Sequence, residues 1–401
     1  MAATGTTVEP YSVRPIVLLS MASFCSMAAL RVAEPLLPEV AREFATTPGV
    51  ASIIATAFAL AYGICQVLYG PLADRFGKVL VITIAMCAAT VAVTATALAD
   101  TLATLAWMRF AAGAATAAVI PLSLAYIGDI VPYEGRQQVL ALYITGTILG
   151  LMFGQVAGGV IMEFLGWRNV FLVMGALYVA MTVLLAIELR SPRVDRRRAS
   201  TPIRPAQVLS NYLGVMRQAH PRKVLVAVFL EGFLLYGGLA YLGAFLHQDF
   251  GVDYATVGLL LAGFGIGGLV YILASRTVIR RLGESGMVRI GGLLAMLGFI
   301  TLIMLPDWRF SAVSNFLLGL GFFLFHNTLQ TNATQMSPDA RGSAVSLFAF
   351  CLFLGQASGV ALLGPVVDGF GYTPAFAACG LGMLVLGLWF GRRLQSRTDP
   401  G

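Results

Sequence analysis

Charge is what this sequence has least of. Only 11% of its 401 residues are Asp, Glu, Lys or Arg, where a soluble domain carries about 25%. Mean hydropathy is correspondingly high, at +0.83. Charge-free windows recur, among them 44–73, 110–128, 137–162, 169–187, 254–275, 310–338 and 342–367. Each approaches or exceeds the roughly 20 residues that carry a helix across ~30 Å of hydrocarbon. With the shorter apolar runs between them, the total comes to about twelve crossings. A soluble core accounts for one or two such runs, so the chain is expected to be an integral membrane protein.

Other absences narrow the class. Strict apolar–polar alternation is missing from runs such as "FLVMGALYVAMTVLLAI", which excludes a β-barrel and leaves helices. No cleavable leader is visible, because the polar start 1–15 runs straight into the first apolar segment. The five cysteines (Cys25, Cys65, Cys87, Cys351, Cys379) lie in apolar runs at unrelated spacings. They predict neither disulfides nor a metal site, only small, buried, inert side chains. No Walker loop, zinc spacing or nucleophile–base–acid set stands out, so neither ATP-driven work nor enzymatic catalysis is expected.

The few charges are informative by their placement. Net charge is +7, yet about 21 of the Lys and Arg residues fall on one side of a twelve-span threading. Arg42, Arg168 and Arg309 fall on the other side, and Arg31 and Arg109 lie within spans. That asymmetry predicts both termini in the cytoplasm and attraction to anionic lipid headgroups rather than to nucleic acid. The longest polar segment, 190–223, carries four prolines, nine cations and one acid and reads as a connector along the membrane surface.

On either side of that connector the sequence repeats itself after about 205 residues. "GWRNVF" (Gly166–Phe171) falls on "GYTPAF" (Gly371–Phe376), and Gly150, Gly154 and Gly159 fall on Gly355, Gly359 and Gly364. One residue further on, Arg109 and Gly113 fall on Asn315 and Gly319. The expected fold is therefore an all-α membrane protein whose twelve transmembrane helices form two six-helix bundles related by pseudo-two-fold symmetry. Its divisions are a cytoplasmic N-terminus (1–14), a first bundle (15–189), a basic cytoplasmic linker (190–221), a second bundle (222–391) and a cytoplasmic tail (392–401). Two parallel repeats of this kind place a substrate site between the halves near the bilayer midplane.

Polar residues inside the apolar runs are the candidate site. Arg31 and Glu34, three apart, share a face of the first span with Phe24 and Met27; they form either an acid–base switch or an interfacial ion pair. Arg109 shares a face with Gly113, Thr116, Ile120 and Ser123 in the fourth span. It either lines the cavity beside the acids or reaches the headgroups. Glu231 lies deep in the seventh span, near Tyr236, where an acid is a functional candidate by default. In the tenth span Asn315, Gly319, Phe322, His326 and Gln330 form a polar–aromatic stripe, with Asn327 beside it. Such a stripe suits a small organic molecule, and the His326 imidazole suits proton relay; the alternative is ordinary hydrogen bonding between helices.

Three stretches resemble motifs of the major facilitator superfamily, and the resemblance extends over nearly the whole chain. "GPLADRFGK" is similar to the family's signature between spans 2 and 3, through Gly70, Leu72, Asp74, Arg75, Gly77 and Lys78. "RFAAG" from Arg109 resembles a motif associated with proton transfer. "GLMFGQVAGG" resembles the antiporter motif through Gly150, Gly154, Gly158 and Gly159, with Gln155 in place of its proline. The resemblance implies alternating access with a cytoplasmic latch at Asp74, which would cap a helix or meet an Arg of the other half. The weaker copy "SRTVIRRLG" has Ile279 opposite that acid, so the gate is expected to be asymmetric.

The drug:H⁺ antiporter branch is the nearest likeness. It implies a proton-driven exporter of small organic molecules in a bacterial inner membrane. Glu34, Glu231 and His326 would carry protons, and Arg31 and Arg109 would be the charge partners of the acids. Phe24, Met27, Thr116, Tyr236, Asn315, Phe322, His326, Asn327 and Gln330 would line the substrate cavity. No cofactor is expected beyond the proton gradient; the partners are substrate, protons and lipid, and the chain is expected to be a monomer. A proton symporter or uniporter importing a sugar, organic acid or nucleoside is the rival on the same fold, and a non-transporting receptor or scaffold is a third reading.

Overall fold

The computed structural model describes residues 12–191, 205–304, 307–337 and 341–398. Every regular element among them is helical, and eleven stretches are long and apolar enough to cross a membrane. One of the eleven, Tyr254–Met304, has 51 residues, which as a straight helix would measure about 75 Å, far beyond any bilayer. Gly283 interrupts it at φ 61°, ψ 177°, a conformation that glycine adopts at little cost. The chain folds back there: Gly267 packs on Gly319 and Leu320, while Gly291 packs on Gly321 and Phe325. The stretch therefore crosses twice, and the crossings among the described residues number twelve.

The spans are 1 (Val13–Glu43), 2 (Pro48–Phe76), 3 (Lys78–Thr96), 4 (Leu102–Ile130), 5 (Gln138–Leu165) and 6 (Trp167–Leu189). After a short linker helix, Pro205–Arg217, come 7 (Ala219–Phe250), 8 and 9 (the limbs of Tyr254–Met304), 10 (Trp308–Gln335), 11 (Gly342–Phe370) and 12 (Tyr372–Gln395). An even number of crossings brings both chain ends to one face, the termini face; the other is the distal face. Of the predicted basic linker, residues 192–204, including the arginine cluster 196–198, lie outside the described residues, as do 1–11 and 399–401. The linker helix exposes Leu213 and Met216, the apolar side of an element suited to lie along a membrane. The cysteines are free, and the expectation of five buried thiols needs correction: Cys25 and Cys379 are buried, but Cys87 is exposed on span 3.

Packing within the halves repeats with the sequence. Span 1 packs on 5, 2 on 4 and 3 on 6, and likewise 7 on 11, 8 on 10 and 9 on 12. The repeat holds atom by atom at the glycines that set the closest approaches. A Cβ on Gly150 would lie 2.3 Å from Phe24 O and one on Gly154 2.4 Å from Ala28 O. Their counterparts Gly355 and Gly359 would meet Phe229 O and Phe233 O, each at 2.1 Å. Gly113 meets Phe58 O as Gly319 meets Phe264 O. Small residues drive such contacts because apolar burial gives helices no advantage over lipid; close backbone approach does. Gly154→Val should therefore force spans 1 and 5 apart and cost about 1–3 kcal/mol, measured as a fall in thermal unfolding temperature in detergent.

The halves touch each other at the distal face. Gly159 packs on Tyr254 and Gly258, and Gly364 packs on Gly49, again the same contact displaced by one repeat. Asp368 Oδ2 accepts from Thr47 Oγ1 at 2.6 Å and its Oδ1 from Gly49 N at 2.9 Å. Glu163 Oε2 accepts from Tyr254 N at 2.8 Å, and Tyr241 Oη donates to Ser52 Oγ at 2.9 Å. Spans 2 and 11 still meet at Gly63 and Phe353, but further along, Gly70 and Gly342 meet nothing within 4 Å. The two halves thus converge distally and diverge toward the termini face.

A third distal acid, Asp253, also shapes the start of span 8. Asp253 accepts from Thr256 N at 2.8 Å, and that bond holds its carboxyl below the usual range. Asp253→Ala should cost about 1 kcal/mol as a lost helix cap. The loss should be full above the ordinary carboxylate range and vanish as pH falls through the lowered value, a dependence that thermal unfolding at several pH values would check.

Candidate functional site

Spans 1, 4 and 7, which bear the buried Arg31, Glu34, Arg109 and Glu231, are each interrupted. Pro35 and Pro38 supply no N–H to the carbonyls of Arg31 and Glu34, and span 1 breaks at Val32. Span 4 breaks at Ala117–Ala118. Span 7 passes from α-helix into a π-helical turn, Gly232–Tyr236, immediately after Glu231. Such insertions re-aim side chains and recur at functional sites.

Two buried acid centres result. In the first, Arg31 Nη1 donates to Glu34 Oε1 at 2.6 Å and Gln155 Nε2 donates to Glu34 Oε2 at 2.8 Å. All three residues are buried. The Arg31 guanidinium lies 4.1 Å from the centroid of the Tyr236 ring, a cation–π contact worth about 2 kcal/mol when desolvated. Tyr236 is the repeat counterpart of Arg31, so this contact between equivalent positions marks the pseudo-two-fold axis. In the second centre, Glu231 Oε2 and His326 Nδ1 share a 2.8 Å hydrogen bond. Glu231 is fully buried, and its Oε1 has no protein partner. The imidazole is 14% exposed, which makes it the outermost polar group of the pair.

Aromatic rings join the centres. Tyr236 packs edge-on against Phe322 (5.2 Å), Phe322 stacks on His326 (4.7 Å, 20°), and Phe348 lies tilted at 5.4 Å from the imidazole. A continuous path Gln155–Glu34–Arg31–Tyr236–Phe322–His326–Glu231 thus crosses from one half to the other. Met27 is buried and Phe24 half-buried against Phe153 (5.1 Å). Asn327 is half-buried and donates to Phe323 O, while Gln330 is exposed.

Several sequence expectations meet a different geometry. Arg109 is fully buried but contacts neither acid: it donates to Ala29 O (2.9 Å) and Ile54 O (3.3 Å) and lies over the Phe58 ring at 4.3 Å. Carbonyl dipoles and a π-face, rather than a carboxylate, offset its desolvation. The span 4 face it belongs to turns into the first half, where Gly113 abuts Phe58 and Thr116 bonds Ala112 O. Thr116 is fully buried, its hydroxyl turned back onto its own helix and its carbonyl accepting from Ser26 Oγ of span 1 at 3.5 Å, so it does not line a cavity. Asn315 does likewise: it is fully buried, bonds Ser311 O at 2.9 Å and adjoins Gly263. Only the His326–Gln330 end of that stripe opens outward.

At the signature loop, Gly77 makes the reversal at φ 94°, while Gly70 has open space around it. Asp74 is exposed and makes no ion pair or hydrogen bond with another described side chain, and span 3 begins after Gly77 with no side-chain cap. Arg75 lies over Phe76, and Lys78 pairs with Asp129 at 2.6 Å within the same half. In span 5, Gly150, Gly154 and Gly158 face span 1, and Gly159 faces span 8. A cavity of about 510 Å³ lies elsewhere, at the termini end of the second half between Glu284, Asn332 and Gln395.

Asp129, Phe348, Glu163 and Asp368 lie outside the residues expected from the sequence, and Gln155 had no expected partner. The repeat itself carried a signal for one pair, since Glu163 and Asp368 are equivalent positions. Nothing local in the sequence pointed to the Gln155–Glu34 bond, which joins residues more than a hundred positions apart.

Comparison with known proteins agrees with this architecture. The model of the Major Facilitator Superfamily matches residues 19–360. The inner membrane transport protein YnfM of Escherichia coli (strain K12) is 26% identical over 394 residues, covering 97% of this chain and 92% of YnfM. The uncharacterized MFS-type transporter YybF of Bacillus subtilis (strain 168) is 25% identical over 375 residues, covering 92% and 90%. Among solved structures, a POT family transporter in complex with a thioalcohol-conjugated peptide superposes with a TM-score of 0.80 at 13% identity, covering 96% and 97%. A bacterial homolog of the human lysosomal transporter Spinster, inward-facing and unoccupied, gives 0.73 at 17% identity, covering 98% and 100%.

Proposed function

Since the chain belongs to the major facilitator superfamily, a family of multi-pass membrane transporters of small molecules and not of enzymes, we propose that this secondary transporter is a proton-coupled exporter. The observation that carries this reading is the pair of buried acids, each bonded to a basic partner and joined across the pseudo-two-fold axis by Tyr236. A carboxylate is costly to hold at membrane depth, which makes it a functional candidate by default. Proton uptake would neutralise one member of a charged contact and weaken its hold on the other half, which is what alternating access requires.

Glu34, Glu231 and His326 are the proposed proton carriers and Arg31 the charge partner; Arg109 is a staple of spans 1, 2 and 4. Substrate would enter below the aromatic path, against Phe24, Phe322, His326, Asn327 and Gln330. With the termini cytoplasmic, as the Lys and Arg distribution favours, the converged distal face is external and the diverging face opens inward. A bacterial inner membrane and the drug:H⁺ antiporter branch complete the reading, supported by the glycine pattern of span 5. Gln155 at the motif's proline position favours a rival, import on the same fold by symport.

A thermal-shift screen of metabolites and drugs on the purified protein would supply a ligand. Everted vesicles with an acidic lumen and a fluorescent ΔpH probe would then fix the direction. Ligand addition should dissipate the gradient as the ligand accumulates inside. Ligand uptake that is indifferent to the gradient, or driven by the opposite one, would reject proton-coupled export.

A further inference from the structure

We propose that Gln155 is a positioning residue whose side-chain amide turns over when Glu34 takes up a proton, and that it carries this change to the contact between the halves. The inference rests on the reading of Glu34 as an exchangeable acid. Both oxygens of that carboxylate already face donors, Arg31 Nη1 at 2.6 Å and Gln155 Nε2 at 2.8 Å. A proton added to either oxygen becomes a donor aimed at a donor. Arginine has no acceptor to offer, whereas a glutamine amide has a carbonyl oxygen and an NH₂ on the same carbon.

Gln155 is placed to make that exchange. Its Oε1 is buried without a partner, so turning the amide breaks no bond except the one that the proton has already made unfavourable. After the turn, Glu34 O–H donates to Gln155 Oε1 and the acid is satisfied in its neutral form. A proline here, as in the antiporter motif that span 5 resembles, supplies neither group.

The charged and titratable groups around the site leave this role to Gln155. Arg31 and Glu39 lie on the acid's own span, and Glu39 is engaged by Arg42 and by Tyr254 of span 8. From span 7, Tyr236 covers the guanidinium, with Glu231 and His326 beyond Phe322. From span 5, Glu163 is committed to Tyr254 N, and from span 4, Arg109 is committed to backbone carbonyls.

The main chain of Gln155 gives the turn its consequence. A Cβ on Gly258 of the opposite half would lie 2.5 Å from Gln155 O, so spans 5 and 8 cross at this residue with no slack. Its side chain reads an acid in one half, and its backbone is the surface on which the other half rests.

The test uses the full-length protein in lipid nanodiscs, with glutamine side chains labelled by ¹⁵N, and needs no substrate. The Gln155 NH₂ resonance is identified by its loss in Gln155→Met. Across an acid titration it should move in a single step as the amide leaves the carboxylate, and the step should be absent in Glu34→Gln. Infrared difference spectra of the same samples should show a neutral-carboxyl band that Glu34→Gln removes. In Gln155→Met the band should shift to higher frequency, because the acid's proton has lost its acceptor. A Glu34 band accompanied by a motionless Gln155 resonance overturns this inference alone. Absence of any Glu34 band overturns it together with the assignment of Glu34 as a proton carrier.

Discussion

Glu231→Gln is expected to abolish transport driven by a pH gradient while leaving the protein folded. Glutamine matches glutamate in shape and still hydrogen-bonds the His326 imidazole, so the 2.8 Å contact and the packing around it survive. What it cannot do is bind and release a proton. Stability should stay within about 1 kcal/mol of wild type, because no buried group loses its partner. Gradient-driven accumulation in everted vesicles should fall to background, whereas exchange of labelled for unlabelled ligand with no gradient should persist. Glu34→Gln should likewise abolish gradient-driven accumulation at the other centre, with a larger loss of stability because the buried Arg31 guanidinium loses its counter-charge. If both variants accumulate ligand as wild type does, the proton is carried elsewhere and the coupling assignment fails.

The second large effect concerns the distal closure. Glu163 and Asp368 occupy equivalent positions in the repeat, and each ends on a backbone N–H of the opposite half, Tyr254 and Gly49. Each carboxylate sits at the N-terminus of a helix, where the unpaired N–H groups and the helix dipole favour negative charge. Joint replacement by Gln and Asn keeps hydrogen-bonding capacity but removes both charges. Both acids are exposed, so a loss of about 1 kcal/mol at each is a sound scale, together about a thirtyfold shift toward the distally open form. A cysteine placed at Ala51, fully buried at this contact, should react with a membrane-impermeant maleimide about thirtyfold faster in the double variant. Reaction at the wild-type rate would mean that helix packing alone, through Gly49, Gly159, Gly258 and Gly364, keeps the face shut.

Much of the fold was legible because hydrocarbon imposes a length. A helix must run about 20 apolar residues before polar ones return, and that rule alone yields twelve crossings. It counts even the two limbs joined at Gly283 correctly, where continuous helicity conceals a turn. Glycine spacing was equally direct: the repeat that aligned Gly150 with Gly355 also aligns their contacts, Phe24 with Phe229. Helix periodicity was less reliable for the site. It put Arg109, Thr116 and Asn315 on faces that are real, but a face does not say which neighbour it meets. Arg109 met carbonyls and Phe58 in place of an acid, and Asn315 met span 8 in place of an open cavity.

The sequence by itself thus determined the membrane class, the twelve spans, the two-fold repeat and the family, since each depends on composition, spacing or local order along one chain. Only the tertiary structure decided the partners: Gln155 on Glu34, Tyr236 over Arg31, His326 on Glu231, Asp368 on Gly49. Those contacts join residues on different spans, or from different halves, whose relative depth and rotation are set by how helices pack. Span 1 turns at its prolines, span 7 gains a π-turn after Glu231, and the glycines let backbones close to van der Waals contact. Small shifts of depth and azimuth of that kind choose which buried charge faces which, and no periodicity in the chain records them.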